Sequence, residues 1–233
     1  MPQLVVIFGI AIVSVIFMLL SHRYKFLFVH IAKTGGTSVR GALNRYRWRD
    51  PYYLPQWIAS KMSAWTGHQV GIKLPRHAKA ITAQEMLPRE FYDSLFKFAF
   101  VRNPWDLQVS SFHHIRRERP HLMKPDETFE HFLKRKLDPD RPWQYHVDTS
   151  ITPQSDYLVD LSGSLIVDYV GRYENLAADF QHCCNVIGIA PPGLPHKRKA
   201  EDRSRYRNYY SEETQELVRA HFERDIALFG YEF

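Results

Sequence analysis

The sequence predicts an α/β protein built on a parallel sheet, and three observations point there. Short apolar runs at residues 25–31 ("KFLFVHI") and 96–101 ("FKFAFV") have the length and continuity of buried parallel strands, and residues 165–176 ("LIVDYVGRYENL") give a third strand. Helical patterns follow them, so strands and helices alternate along the chain. The first run leads directly into "HIAKTGGTS" (30–38), a glycine turn that opens a helix.

Each element has its own signal. A helix is expected from about Ser38 to Tyr46, behind the first strand, which begins near Tyr24. Residues 45–65 are aromatic-rich and interrupted by Pro51 and Pro55, and they read as an irregular lid with a short helix. Thr82 to Phe96 reads as one helix, with Thr82 and Glu85 spaced as a capping box. The second strand ends in "RNPWD", followed by helices over about 105–119 and 128–136. After the third strand, Leu176, Phe180, Cys184 and Ile187 mark one helix face, and Gly188 is placed to end it. Residues 190–207 form a basic, proline-rich loop. The last helix starts at Ser211 and buries Val218, Phe222, Ile226 and Phe229.

Bulk properties narrow the function classes. The 233 residues suit one large domain; 45% hydrophobic content is that of a globular chain. A net charge of +6 favours an anionic partner. No nucleic-acid-binding signature is present, so nucleic acid is not the partner expected. The two cysteines, Cys183 and Cys184, are adjacent and form neither a disulfide framework nor a metal-ligand spacing. No glycosylation sequon occurs, and the expected setting is cytoplasmic, with no metal.

The N-terminus divides off. Residues 1–20 form a hydrophobic segment, with Leu4 to Leu20 unbroken by charge, ahead of a domain over 21–233. The segment reads either as a membrane span or as a product of a mis-assigned start, with Met18 the alternative first residue. If residues 4–20 span, Arg23 and Lys25 hold the domain on the inner face of the membrane.

The chemistry sits at the strand ends. The glycine turn is not a Walker A loop, since its lysine precedes the glycines. Gly35 and Gly36 let the backbone approach an oxyanion, the amides and hydroxyls of Thr37 and Ser38 cradle it, and Lys33 adds charge. Arg102 ends the second strand, with Ser110 eight residues on, a pair suited to a second phosphate. His77 and His68 precede the helix that begins near Thr82, and either imidazole can take a proton near neutral pH. The basic stretches 113–124 and 196–207 read as solvated faces or anion contacts. Trp48, Tyr52, Tyr53 and Trp57 read as a sugar platform or as a hydrophobic lid.

"FVHIAKTGGTS" and "FKFAFVRNPWDLQVSSF" resemble the two nucleotide-binding signatures of the sulfotransferase 2 family in its bacterial form, and "GRYENL" and "RDIALFGYEF" are similar to it too. Ala32 departs from the proline more usual there. The resemblance implies a P-loop-like three-layer fold and a metal-free sulfuryl transfer from 3′-phosphoadenosine 5′-phosphosulfate (PAPS) to a hydroxyl, on a carbohydrate in most members. It implies that Lys33, Thr34, Gly35, Gly36, Thr37 and Ser38 hold the 5′-phosphosulfate and that Arg102 with Ser110 holds the 3′-phosphate. Arg203 or Arg207 would touch a phosphate from the loop above. His77 is the base the resemblance favours, His68 its rival, and Lys33 would stabilise the leaving oxygen. An NTP-dependent phosphotransferase and a non-catalytic protein binding a glycan or the product nucleotide, 3′-phosphoadenosine 5′-phosphate (PAP), are the alternatives.

Overall fold

The computed structural model describes residues 18–68, 74–141, 148–194 and 203–233. It is an α/β fold around a four-stranded sheet in the order β1-β2-β3-β4. Strands β2 (Phe26–Val29), β3 (Phe96–Val101) and β4 (Tyr169–Arg172) are parallel. Strand β1 (Leu19–Ser21) is antiparallel on the β2 edge.

Strands β2 and β3 match the first two apolar runs because they are buried on both faces, whereas β4 takes only Tyr169–Arg172 of residues 165–176 and, as an edge strand, buries only Gly171. Phe26, Phe28, Phe98 and Phe100 pack on one side with Val39 and Leu43 of helix α1 (Gly36–Trp48) and with Phe180 of α7 (Leu176–Ile187). Cys183 and Cys184 are free and buried in that same layer. Leu27, Val29, Ala99 and Val101 pack on the other side with α3 (Ala80–Met86), α4 (Arg89–Asp93) and Phe229 of α9 (Glu223–Phe229). A third cluster joins α5 (Pro104–Glu118), α6 (Phe129–Leu137) and α8 (Glu212–His221).

Several details differ from expectation. Leu19 and Leu20, read as the end of the apolar segment, belong to β1; Met18 is already buried and its N–H donates to the Leu74 carbonyl at 2.8 Å. The fold thus begins at least six residues before Tyr24. Residues 4–17 lie outside the described residues, and among those described no helix is long and apolar enough to cross a membrane.

The expected lid is largely one regular helix, α2 (Tyr53–Thr66), because Pro55 falls in its first turn, where a missing N–H removes no hydrogen bond. The single helix expected over 82–96 is instead α3 and α4, separated at Leu87 and Pro88. The residue before a proline is driven out of the helical region, and Leu87 has ψ of 149°. The N-cap of α3 is Lys79, with no side-chain cap, so Thr82 and Glu85 form no capping box. The last helix also divides, at Phe222, although Ser211 caps it as expected, in a capping box with Thr214.

Candidate functional site

The C-terminal ends of adjacent parallel strands are where an open α/β sheet presents its crevice. Here β2 runs into the glycine turn and β3 into the Arg102 turn, and the two are bonded to each other. Arg102 Nη1 donates to the Lys33 carbonyl at 3.1 Å.

The glycine turn has a left-handed backbone at two positions. Lys33 has φ of 68° and Gly35 has φ of 80°, the former a conformation that non-glycine residues rarely adopt. Thr34 between them is fully buried, its hydroxyl donating to the Ile31 carbonyl at 3.0 Å. Helix α1 starts at Gly36, and the Gly35 carbonyl takes the N–H groups of Ser38 and Val39. The N–H groups of Gly36 and Thr37 have no acceptor among the described residues, as at any helix start.

The second glycine answers to a neighbour. A Cβ on Gly36 would clash with Cδ2 and Nε2 of the His30 ring, which is buried and bonded to Arg76. A Cβ on Gly35 would meet Leu176 Cδ2 at 2.7 Å and the Tyr173 ring at 3.2 Å.

His30, the last residue before the turn, organises what lies above it. Its Nδ1 accepts a hydrogen bond from Arg76 Nε at 3.0 Å, and Arg76 Nη2 reaches the Thr37 hydroxyl at 3.1 Å. Burial, then the charge of Arg76, holds the His30 imidazole down at about 2, so the ring is neutral. His77 Nδ1–H donates to the His30 carbonyl at 2.8 Å, and the two rings lie 4.7 Å apart. Burial also lowers His77, with Arg76 and Arg40 adding to the effect and the bond to His30 opposing it. A carbonyl can only accept, so Nδ1 carries the proton and Nε2 keeps its lone pair.

Arg102 is 1% exposed, and two of its three side-chain nitrogens have hydrogen-bond acceptors. Nε donates to Asp106 Oδ2 at 2.6 Å, and Nη2 lies 2.5 Å from that oxygen but makes no aligned hydrogen bond. The guanidinium stacks 4.1 Å from the centre of the Tyr173 ring. The Gln154 side chain clamps the Arg102 main chain, accepting from its N–H and donating to its carbonyl, both at 2.8 Å. Buried Asp225 in turn accepts from the Gln154 and Ser155 N–H groups. Asn103 caps α5, and its own N–H donates to Glu174 at 2.7 Å. Ser110 is buried two turns along α5, with Arg102, Asp106 and Ser110 at successive four-residue spacings.

The remaining sequence candidates fall elsewhere. His68 is exposed beyond the end of α2, its N–H on the Thr66 hydroxyl, and nothing among the described residues ties it to the turn. Arg207 is exposed and donates to the Phe233 main-chain oxygen at 3.0 Å; Arg203 begins the 3₁₀ turn Arg203–Tyr209. Among the described residues no three His, Cys, Asp or Glu side chains are grouped to hold a metal ion.

Sequence reasoning passed over His30, Arg76, Asp106, Gln154 and Tyr173. His30 and Arg76 stand beside residues that were singled out, yet their roles come from packing between segments 46 positions apart.

Comparison with protein families matches residues 18–232 to the model described as Sulfotransferase family. Comparison with curated proteins yields no match. Among solved structures, a sulfotransferase from Alicyclobacillus acidocaldarius is similar with a TM-score of 0.45 and 18% identity, over 90% of this chain and 96% of that one.

Proposed function

The chain belongs to the sulfotransferase family, and on that premise we propose that it moves a sulfuryl group from PAPS to a hydroxyl of a carbohydrate, with His77 as general base. The observation that carries this reading is the His77 ring. Its Nδ1–H is committed to the His30 carbonyl beside the glycine turn, which leaves Nε2 basic and unprotonated at neutral pH.

The residues present suit the donor. Two helix-start amides with no acceptor among the described residues, and the Arg102 guanidinium bonded to the same turn, suit a doubly phosphorylated nucleotide. On this reading Lys33, Gly35, Gly36, Thr37 and Ser38 hold the 5′-phosphosulfate, with Thr34 contributing its main chain only. Arg102 and Ser110 hold the 3′-phosphate, and Arg203 and Arg207 are the further candidates for a phosphate contact. PAPS supplies an activated sulfuryl group whose bond to the 5′-phosphate breaks as the acceptor oxygen attaches. His77 Nε2 takes the acceptor proton, and Lys33 places positive charge beside the turn.

The test is incubation with isotopically labelled PAPS and a panel of glycans and small alcohols in EDTA, read by mass spectrometry. Transfer to a glycan hydroxyl is expected. An absolute Mg²⁺ requirement, or tighter binding of ATP than of PAP, would favour an NTP-dependent phosphotransferase. Binding of PAP without turnover on any acceptor would leave a non-catalytic protein.

A further inference from the structure

Helix α2 has its amphipathicity reversed. Its large apolar residues face outward: Leu54 is 60% exposed, Trp57 48%, Ile58 44%, Met62 46% and Trp65 88%. They fall at spacings of three and four, a single stripe along one side of the helix. Ser63, on the opposite side, is buried, and Ala59 is half-buried. A helix that faces solvent with its apolar side and the protein with its small residues has its partner outside the fold.

The surroundings of the stripe are cationic. Lys61 lies within it, its Nζ 5.7 Å from the Trp57 ring centre. An open groove of about 510 Å³ adjoins the helix start at Tyr52 and is lined by Arg23, Lys25, Arg49 and Phe91. It lies at the turn between β1 and β2, the opposite end of the sheet from the glycine turn. Across residues 45–68 the sole acidic residue is Asp50, which is buried and accepts from the N–H groups of His22, Arg23 and Tyr52.

We infer that the exposed face of α2, together with this groove, docks on the surface of an anionic lipid bilayer. Tryptophan and tyrosine suit the interface because their rings are apolar at one end and polar at the other. Trp48, Tyr52, Trp57 and Trp65 are all exposed here. A 14-residue helix is about 20 Å long, too short to span but suited to lying in the headgroup plane. Arg23, Lys25 and Arg49 supply the charge for anionic headgroups, and Lys61 can extend its ammonium past the apolar surface. A second copy of this chain is a poorer occupant, since pairing through the stripe encloses Lys61 while the sole acidic residue across residues 45–68, Asp50, is buried and cannot pair with it. The inference does not depend on the proposed chemistry.

Sedimentation of the full chain with phosphatidylcholine vesicles and with mixed phosphatidylcholine–phosphatidylglycerol vesicles tests it. Binding to the mixed vesicles is expected, weakening with salt. It should fall about tenfold or more in the double variant Trp57→Ser/Trp65→Ser and in Lys25→Glu/Arg49→Glu. All four side chains are exposed, so both variants should keep the parent melting temperature; and both retain residues 1–17, so a loss belongs to the folded face. A parent that ignores the anionic vesicles, or a tryptophan double variant that binds them as the parent does, overturns the proposal. So does a lipid-free dimer that Trp57→Ser/Trp65→Ser abolishes, which would assign the face to a second copy.

Discussion

His30 and His77 meet above the glycine turn, and their rings respond differently to acid. His77 is the proposed base, and its lowered pKa means that it stays neutral below the ordinary histidine range. The acid limb of kcat/KM should therefore fall below pH 6.5, the unperturbed value, in a pH–rate profile. His77→Ala should lower kcat by about 10²- to 10⁴-fold while leaving PAP affinity nearly unchanged. His68→Ala, on an exposed helix end, should cost little; a reversal of the two results would transfer the base to His68. His30 contributes to stability instead. Its imidazole sits at about 2 when folded against 6.5 otherwise, so between those values the unfolded chain binds the extra proton. Its contribution to stability is then complete above pH 6.5 and is lost as pH falls towards 2, with a slope approaching about 1.4 kcal/mol per pH unit at most. Urea unfolding at several pH values should show a flatter dependence in His30→Gln than in the parent. Equal slopes would mean that another group titrates.

At the scale of elements, α5 is the part that sets the spacing of the proposed 3′-phosphate site. Arg102→Ala would be a poor probe of binding, because it leaves the Asp106 carboxylate buried without its ion pair. Loss of one partner of a buried pair costs about 3–5 kcal/mol, enough to threaten the fold itself. Ser110→Ala is the cleaner variant. It should weaken PAP about tenfold or more by calorimetry, the scale of one hydrogen bond to a charged group. Adenosine 5′-phosphosulfate, which has no 3′-phosphate, should bind as before; equal losses for both would place Ser110 outside that site. The element also shows what a sequence can convey. Asn103 as N-cap, Pro104 in the first turn and the apolar run of β3 are local signals, and the strand and helix were legible from them. The turn between β2 and α1 was legible for the same reason. That Gly36 makes room for His30, that Gln154 clamps Arg102 and that Arg76 reaches Thr37 are contacts between distant segments, which no spacing records. Helix α2 was misread because Pro51 and Pro55 look like breakers, and its outward apolar face gave no core signal to oppose them.

For the whole molecule, the question is where the folded unit begins. The apolar run of residues 4–20 looks continuous in the sequence, but its last residues belong to the fold, since Leu19 is fully buried in β1 and pairs with Phe28. Strand β1 covers the β2 edge, and Ser21 donates to Asp50, the carboxylate that also holds the turn into β2. Removing residues 1–17 should therefore leave the melting temperature and PAP affinity of the domain unchanged. Removing residues 1–21 should not be tolerated. It strips Met18 and Leu19 from the core, each worth about 1.5–3 kcal/mol of burial, and leaves the Asp50 carboxylate without the Ser21 hydroxyl. It also exposes an edge of β2 whose four residues, "FLFV", are all buried, an invitation to strand pairing between molecules. Thermal melts and size-exclusion chromatography of the two truncations should show one stable species that elutes as the parent domain does and one aggregate. If the shorter chain melts like the parent, β1 contributes nothing and the fold starts at β2, with the His22–Lys25 turn and its cationic groove only loosely attached to the rest.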